Sequence, residues 1–385
     1  MINFYWGEKK LMPEMKVKET VIFDGNDEGF EFEGSIFRLA CGPSVTEVQN
    51  GELLCTWLTG SRKEPAPDNC LVLSRSFDGG ETWSKPEMLV PPGEENGSGC
   101  ILNGDGKLVL LSARWPLKDA YTVWHYSRSE SYDNGRTWTE KTPLKLIDQK
   151  GFSACLGGEI KTSGGEYLCC AQIFQKRERP FTAGAGRLAL AKSEEEALAM
   201  SPMEPGEIDP NKFATHLHGC GVFKTDQDKT GYECLGWVHN RPLGLLEPTM
   251  VELRDGTLVM LMRAEWGGVL WRSDSRDGGR TWCDAYPTSI KNPSSLAHLL
   301  RLPDGRIALL NNHFGGFIGE PMRLEDRDPL SLWISDDELK SFSVKEDIIK
   351  GGWLSYPYAI ALRDGRYTFV YDRNRRQIVF VEVSF

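Results

Sequence analysis

Short apolar runs alternate with glycine-containing turns along the chain, and one arrangement recurs six times. In each copy an apolar run meets a turn that ends in glycine and a second apolar run follows, as in VELRDGTLVMLMR and IALRDGRYTFVYD. Asn-Gly, Asp-Gly and Gly-Gly tolerate the positive φ angles of tight hairpins. The pattern predicts six β-hairpins, with turn glycines Gly51, Gly106, Gly165, Gly256, Gly305 and Gly365.

A second motif, Ser-x-Asp-x-Gly-x-Thr-Trp, occurs intact at residues 76–83, 131–138 and 275–282. SDDELKSF at Ser335 is a worn copy, and SEEEALAM at Ser193 is a candidate for a more eroded one. In such a turn the Ser and Asp side chains accept backbone N–H groups, the Gly takes the left-handed conformation, and the Trp packs beneath the strands. We therefore expect the motif to be structural.

Most of the hairpin glycines are about 50 to 60 residues apart, which is enough chain for four short strands, and most hairpins are followed by a second turn. Together these features predict an all-β fold. We expect a six-bladed β-propeller of four-stranded antiparallel blades, forming a single domain over 1–385. A strand within residues 16–32 would complete the last blade and remove its open edge. The third and fourth hairpin glycines are unusually far apart, which predicts an insertion at about 176–241.

Composition excludes several classes of protein. The 385 residues are 40% hydrophobic and 26% charged, as in globular proteins, and the net charge of −10 argues against a nucleic-acid partner. No apolar run is long enough for a membrane span, and no signal peptide is seen. Ten cysteines without a CxxC pair favour free thiols and a cytoplasmic location, with secretion as the alternative if a leader was removed. The oligomeric state stays open.

Polar residues within apolar runs are the candidates for chemistry. Glu247 and Tyr356 each lie nine residues before a hairpin glycine, so equivalent positions of two blades would carry them into one central cavity. Arginines in or beside strands are costly unless paired, and several aimed at one cavity would bind a carboxylate. These arginines are Arg38, Arg114, Arg263 and Arg327.

The histidines give no support for a metal. His216, His218, His298 and His313 lack the spacing of a three-ligand site, so we expect no metal and no cofactor.

The quoted segments resemble the sialidase (neuraminidase) superfamily, in a divergent branch. The intact turn motifs resemble its bacterial neuraminidase repeats, or Asp boxes. LEPTMVELRDGTLVMLMR resembles the segment with the nucleophile's glutamate partner and the second arginine, here Glu247 and Arg263. RDPLSLWISDD resembles the third-arginine strand and SYPYAIALRDGRYTFVY the tyrosine segment, which implies Arg327 and Tyr356. IFRLA echoes the first-arginine motif at Arg38. DNCLVLSRSFDGGETW is similar to the strand after the acid/base aspartate, which implies Asp68.

The chain departs from the family pattern at two arginines. Arg38 is followed by Leu-Ala rather than Ile-Pro and lies 13 residues before Gly51, with Cys41-Gly42-Pro43 between them, so whether it reaches the cavity stays open. The resemblance implies that Arg38, Arg263 and Arg327 hold the substrate carboxylate. Arg323 is an alternative to Arg327 as the third arginine.

The resemblance implies an exo-glycosidase that releases a terminal sialic acid or a related acidic sugar. Tyr356 would attack the anomeric carbon while Glu247 takes its proton, and Asp68 would serve as acid and base, with retention of configuration. The alternatives are a propeller hydrolase or lyase for another acidic sugar (Kdo, another nonulosonic acid or a uronate) and a non-catalytic binder of acidic glycans.

Overall fold

Strands dominate the computed structural model, which describes residues 15–93, 96–114, 124–147, 152–176, 216–239, 244–264, 268–314 and 324–384. They form six main sheets arranged as the blades of a propeller, together with one small two-stranded sheet. The predicted fold class is therefore confirmed. In the described part of the chain no helix is long and apolar enough to span a membrane.

The first half of the chain contributes three blades and the closing strand. The elements are β1 (Lys16–Asp24), β2 (Phe30–Phe32) and β3 (Ser35–Phe37); blade one, β4 (Cys41–Glu47), β5 (Leu53–Thr59), β6 (Cys70–Ser76) and β7 (Glu87–Val90); blade two, β8 (Asn96–Asn103), β9 (Leu108–Arg114), β10 (His125–Ser131) and β11 (Thr142–Pro143); then β12 (Lys145–Ile147); and blade three, β13 (Phe152–Lys161), β14 (Tyr167–Lys176), β15 (His216–Thr225) and β16 (Gly231–His239).

The second half contributes the other three blades. Blade four consists of β17 (Leu245–Glu252), β18 (Leu258–Ala264), β19 (Val269–Ser275) and β20 (Tyr286–Lys291); blade five of β21 (His298–Arg301), β22 (Ile307–Asn311), β23 (Leu330–Ser335) and β24 (Val344–Ile349), with a 3-10 helix at Leu324–Arg327 before β23; and blade six of β25 (Leu354–Ala361), β26 (Tyr367–Arg373), β27 (Gln377–Ser384) and β1.

Blade three differs from the others by a fifth strand. Strand β12, which follows blade two in the chain, pairs parallel with β16 at the outer edge of blade three. All other pairings in the six blades are antiparallel, as the hairpin pattern predicts. Within the insertion predicted at about 176–241, residues 216–239 form β15 and β16, and residues 177–215 and 240–241 lie outside the described residues.

The N-terminal strand closes the ring. Strand β1 pairs antiparallel with β27 along its whole length, so the first and last strands of the described chain lie in one blade. The closing strand is shorter than the predicted segment 16–32, since Phe30–Phe32 pairs instead with Ser35–Phe37 in a separate hairpin. Pairing of β1 leaves no open edge on β27, as the prediction required.

The turns have the conformation that their sequences predict. All six hairpin glycines have positive φ, between 65° and 90°. In the Asp box at 76–83, Ser76 Oγ accepts the N–H of Gly80 at 2.8 Å, and Asp78 Oδ1 accepts that of Thr82 at 2.9 Å. The Trp83 ring packs against Phe380. The structural role of the motif is thus confirmed.

The worn copies of the Asp box differ in outcome. At Ser335 the motif makes the same bonds, with Ser335 Oγ accepting the N–H of Leu339 and Asp337 accepting that of Ser341. Ser193 lies outside the described residues. Blade three has its equivalent turn elsewhere, where Asp226 accepts the N–H of Thr230 between β15 and β16.

The core lies between neighbouring blades. One apolar cluster joins blades six and one and includes Phe23, Trp57 and Phe380, all at most 5% exposed. The first strands of the blades contact one another around most of the ring, and residues from all six line one cavity. They therefore surround the axis. These strands are β4, β8, β13, β17, β21 and β25.

Candidate active site

A cavity of about 480 Å³ lies among the innermost strands. Its lining includes Glu247, Arg263, Arg327 and Tyr356, four of the seven residues that the sequence proposes for the site. They come from blades four, five and six, more than a hundred positions apart at the extremes. The propeller therefore gathers dispersed polar residues around one space, which is where ligand sites of ring-shaped folds lie.

Backbone bulges turn Glu247 and Tyr356 into this cavity. Both residues have positive φ, 38° and 52°, and each is followed by proline. The register of β17 with β18 shifts between Leu246 and Thr249, and that of β25 with β26 shifts between Ser355 and Tyr358. A bulge re-aims a side chain, and non-glycine residues at positive φ carry strain that clusters at functional sites. The shared nine-residue spacing thus corresponds to a shared bulge.

Tyr356, Glu247 and Arg263 form one hydrogen-bonded chain. The Tyr356 hydroxyl donates to Glu247 Oε1 at 3.2 Å, and Arg263 Nη1 donates to Glu247 Oε2 at 2.7 Å. Arg263 Nε also donates to Ser294 Oγ at 3.0 Å. Arg263 pairs with one oxygen of Glu247 and orients the carboxylate, so that its other oxygen can accept the phenolic proton.

Desolvation keeps the phenol neutral. Burial in the cavity, followed by the charge of Glu247, raises the pKa of Tyr356 well above its ordinary value of 10, although Arg375 and Arg263 act in the opposite direction. A tyrosine in this state is a weak nucleophile unless a base removes its proton during attack. Glu247 is the carboxylate in hydrogen-bonding contact with it.

Arg327 adds a second, more deeply buried guanidinium. It ends the 3-10 helix Leu324–Arg327 and is 3% exposed. Its Nη1 donates to Ser355 Oγ at 2.8 Å and its Nη2 to the carbonyl of Ser294 at 3.0 Å. Burial, and then the nearby charge of Arg263, lower the pKa of Arg327. Because the positive charges of Arg263 and Arg327 repel one another, binding of an anion between them is favourable.

Three proposed site residues are absent from the cavity lining. Arg38 Nη1 donates to the carbonyl of Gly25 at 2.6 Å, because the backbone at Arg38 is fixed on Gly60 before β4 begins. Asp68 Oδ2 accepts the N–H of Ser61 at 3.0 Å and stabilises its own loop. The structure therefore does not bring Arg38 or Asp68 to the cavity. The alternative third arginine, Arg323, lies outside the described residues.

Arg114 belongs to a different cavity. It ends β9 and lines a space of about 690 Å³ on blade two, together with His125, Lys141 and Lys145. Trp124 and Tyr126 line both spaces and separate them. Burial and then the charge of Arg114 lower the pKa of Lys141.

Three cavity residues escaped the sequence analysis. Arg375 lies in the turn between β26 and β27, Glu64 in the loop between β5 and β6, and Trp353 just before β25. Trp353 lies beside two of the arginines, since the guanidiniums of Arg375 and Arg327 are 5.1 and 5.8 Å from the centre of its ring. All three lie in polar connections, and no periodic pattern distinguishes them from ordinary loop residues.

The histidines and cysteines do not form a metal centre in the described part of the chain. No group of three or more His, Cys, Asp or Glu residues there is arranged to hold an ion. His298 lines the cavity, and burial lowers its pKa to about 4, so it is neutral near pH 7. His218 is fully buried and contacts Gln172. The described cysteines are free thiols.

The ring of blades, the Asp boxes and the axial cavity define a sialidase-like propeller. A family model described as the BNR repeat-like domain matches residues 51–369, and the chain belongs to this family. A comparison with curated protein sequences gives no match.

Solved structures with this fold include sialidases. A protein of unknown function from Dyadobacter fermentans DSM 18053 has a TM-score of 0.68 at 17% identity, covering 97% of this chain and 100% of that one. Hadza microbial sialidase Hz136 has a TM-score of 0.66 at 15% identity, covering 94% of this chain and 67% of that one. A mutant of Trypanosoma rangeli sialidase displaying trans-sialidase activity has a TM-score of 0.64 at 15% identity, covering 95% of this chain and 58% of that one. At these identities the likeness shows the fold.

Proposed function

We propose that the protein is a retaining exo-glycosidase that releases a terminal sialic acid or a related acidic sugar. The observation that carries the proposal is the 3.2 Å hydrogen bond from Tyr356 to Glu247, within reach of Arg263 and Arg327 in one cavity. The sialidases with this fold support the choice of sugar, and one of them has been solved with sialic acid.

The charge of the substrate explains the type of nucleophile. A sialic acid carries a carboxylate on its anomeric carbon, so an Asp or Glu nucleophile would approach a like charge. A neutral phenol avoids this repulsion. As Tyr356 Oη bonds to the anomeric carbon, its proton passes to Glu247, the glycosidic C–O bond breaks, and the leaving oxygen takes a proton from a general acid. Water then displaces the tyrosine and gives a proton to the conjugate base of that acid, while Glu247 returns the phenolic proton to Tyr356. The two displacements together retain configuration.

The carboxylate of the substrate would be bound by the arginines. Arg263 and Arg327 approach from blades four and five, and planar guanidiniums give charge-assisted, directional hydrogen bonds to a carboxylate. Since these bonds fix the anomeric carbon relative to Tyr356, they contribute to turnover as well as to affinity.

The test is turnover by wild-type protein and by Tyr356→Phe on a panel of aryl glycosides of sialic acid, Kdo and a uronate. We expect wild-type turnover of the sialoside and loss of nearly all of it in Tyr356→Phe. Binding of DANA, the inhibitor bound in a Trypanosoma rangeli sialidase structure, should survive the substitution, because the arginines are intact. Wild-type-like turnover by Tyr356→Phe would end the assignment.

The same panel separates the alternatives. Turnover confined to the Kdo or uronate glycoside would identify another acidic sugar as the substrate. Binding of DANA without turnover of any glycoside would favour a non-catalytic binder of acidic glycans.

A further inference from the structure

The turn between β26 and β27 holds its arginine in a costly conformation. Asn374 and Arg375 have φ of 58° and 49°, the geometry of a two-residue hairpin turn in which glycine is strongly preferred. A residue with a side chain at such a position has a strained backbone conformation, whereas glycine would adopt it without strain. Ala40 N–H donates to the Arg375 carbonyl at 3.0 Å and ties this turn to blade one.

The guanidinium of Arg375 points into the cavity and is not saturated. It lines the cavity, lies 5.1 Å from the Trp353 ring and donates from Nη1 to Glu64 Oε2 at 3.3 Å. Its Nε is buried and has no hydrogen-bond partner among the described residues. The side chain is only 24% exposed. A half-buried guanidinium with an unused, buried donor is suited to bind a further acceptor.

Glu64 is the carboxylate of its loop that reaches the cavity. Its side chain is 14% exposed, and Oε2 also accepts a hydrogen bond from Cys41 Sγ at 3.5 Å. Burial, and then Glu64 itself, raise the pKa of Cys41 well above the usual value, so the thiol stays protonated as a donor. Cys41 packs in the apolar cluster against which Tyr356 lies, so Glu64 and Tyr356 share Cys41 as a neighbour.

Glu64 and Glu247 line the cavity from different blades. Glu64 belongs to blade one and Glu247 to blade four, which face one another in a six-membered ring. A retaining glycosidase needs acidic and nucleophilic groups on either side of the scissile bond. Arg38 and Asp68 lie off the cavity, and Arg375 and Glu64 line it. A further lining carboxylate, Glu159, is paired with Lys229 Nζ at 2.7 Å, whereas Glu64 is the one paired with Arg375.

We propose that Arg375 is the third guanidinium for the substrate carboxylate and that Glu64, rather than Asp68, is the acid and base of the reaction. This inference rests on the proposed function. Protonated Glu64 gives its proton to the glycosidic oxygen as the C–O bond breaks and Tyr356 Oη bonds to the anomeric carbon. The resulting carboxylate then takes a proton from the attacking water while the bond to Tyr356 breaks, so Glu64 ends the cycle protonated.

The ion pair links binding to proton transfer. In the free protein Arg375 is the counter-ion of Glu64. A substrate carboxylate that binds Arg375 competes for this guanidinium and brings a second negative charge close to Glu64. Binding of the carboxylate and the proton-transfer step therefore involve the same pair of side chains. Glu247, Tyr356, Cys41 and Asp372 are the other titratable groups that interact electrostatically with this cluster.

The binding half of the proposal is tested with DANA. We expect Arg375→Gln to weaken binding roughly 10- to 100-fold, as loss of a charge-assisted hydrogen bond does. Arg375→Lys, which keeps the charge, should lose less. The affinity of Arg38→Gln for DANA should stay within about twofold of wild type. Calorimetry measures the affinity of the folded fraction of each variant. Unchanged binding in Arg375→Gln, a large loss in Arg38→Gln, or no binding by wild type would overturn the role of Arg375.

The catalytic half is tested with a matched pair of variants from one loop, Glu64→Gln and Asp68→Asn. For Glu64→Gln we expect kcat/KM to fall by roughly 10²- to 10⁴-fold on an alkyl sialoside and much less on a nitrophenyl sialoside, whose leaving group needs little protonation. Asp68→Asn should change both substrates by the same small factor. The reverse pattern, or an equal loss on both substrates in Glu64→Gln, would reject Glu64 as the acid.

Failure of the proposed function has a different signature. Wild-type protein that binds DANA but turns over no glycoside would overturn the proposed function and the catalytic role of Glu64 with it. The affinities of Arg375→Gln and Arg38→Gln would still decide which arginine binds the carboxylate.

Discussion

At the residue scale, the cavity balances three guanidiniums against few ionised acids. Arg263, Arg327 and Arg375 line the cavity with Glu247 and Glu64, while a third lining acid, Glu159, is paired with Lys229. Asp372 lies on β26 and is fully buried. Burial raises the pKa of Asp372 to about 7, although Arg375 acts against the shift. Gly42 N–H donates to Asp372 Oδ2 at 3.3 Å. Near neutral pH the cluster is therefore cationic, which suits a carboxylate ligand.

The shifted pKa of Asp372 predicts a pH-dependent stability. Since the folded value of about 7 lies above the ordinary 3.8, the folded protein binds more protons than the unfolded chain between those pH values. This group therefore stabilises the fold most at low pH, and its contribution falls as pH rises through that window. Relative to wild type, Asp372→Asn should gain up to about 1.4 kcal/mol per pH unit from pH 4 to 7.

The measurement is urea unfolding of both proteins at several pH values. Stability curves that run parallel between pH 4 and 7 would show that Asp372 does not exchange its proton on folding.

At the element scale, bulges in the innermost strands decide which residues reach the axis. The register of the innermost strand shifts in five blades, near the start of the strand in four of them and at mid-strand in β13. The strands are β4, β8, β13, β17 and β25. The bulge holds Glu247 in blade four and Tyr356 in blade six, both followed by proline. In blade one it holds Gly42-Pro43, with Gly42 at φ 59°. The bulges of blades four and six thus direct a side chain into the cavity. The bulge of blade one has glycine there, which leaves space for a ligand.

This reading predicts that a side chain at Gly42 would obstruct the cavity. Gly42 lines the cavity, and nothing lies within 4 Å of a Cβ built there. Gly42→Asn should weaken DANA binding roughly tenfold. Its backbone cost should be small, because asparagine tolerates the left-handed conformation.

The matched control is Gly51→Asn. Gly51 also has positive φ, 87°, and an open Cβ position, but it lies in the outer turn between β4 and β5. Both variants should lose similar stability in thermal unfolding, and only Gly42→Asn should lose affinity in calorimetry. Equal affinities would mean that the bulge does not face the ligand.

At the scale of the whole molecule, ring closure by β1 joins the two ends of the described chain. Ile22 and Phe23 of β1 are buried in the cluster between blades six and one, and the Phe23 and Trp57 rings lie 5.4 Å apart. Blade six also carries Tyr356 and Arg375, and blade one carries Glu64. Stability of this junction therefore supports the geometry of the site.

Removing the closing contact should destabilise the ring. Phe23→Ala deletes a side chain that is 5% exposed and should lower the free energy of unfolding by about 3–5 kcal/mol, the usual cost of a buried phenylalanine. Phe77→Ala, at a residue 68% exposed in the first Asp box, should cost less than about 0.5 kcal/mol. Chemical denaturation of both variants measures the difference, and similar losses would argue against closure through β1.

The sequence predicted more of the fold than of the site. Hairpin glycines and Asp boxes are local signals, since their backbone angles and hydrogen bonds lie within a few residues, and both were confirmed. Glu247 and Tyr356 were found because their shared phase relative to a glycine is also local. Arg38 was a candidate as an arginine beside a strand and by resemblance, and Asp68 was inferred from resemblance alone. Where their side chains point depends on Gly25, Gly60 and Ser61, contacts that no periodicity encodes.

Local sequence alone determined six antiparallel blades, the closing strand and the shared phase of Glu247 and Tyr356, because turn geometry and strand alternation are set by neighbouring residues. Only the tertiary structure decided which arginines and acids share the cavity. Arg375 and Glu64 are 311 positions apart and meet because blade six packs on blade one. Contacts of this kind depend on how the ring closes, and a loop residue in the sequence carries no mark of the partner it will meet.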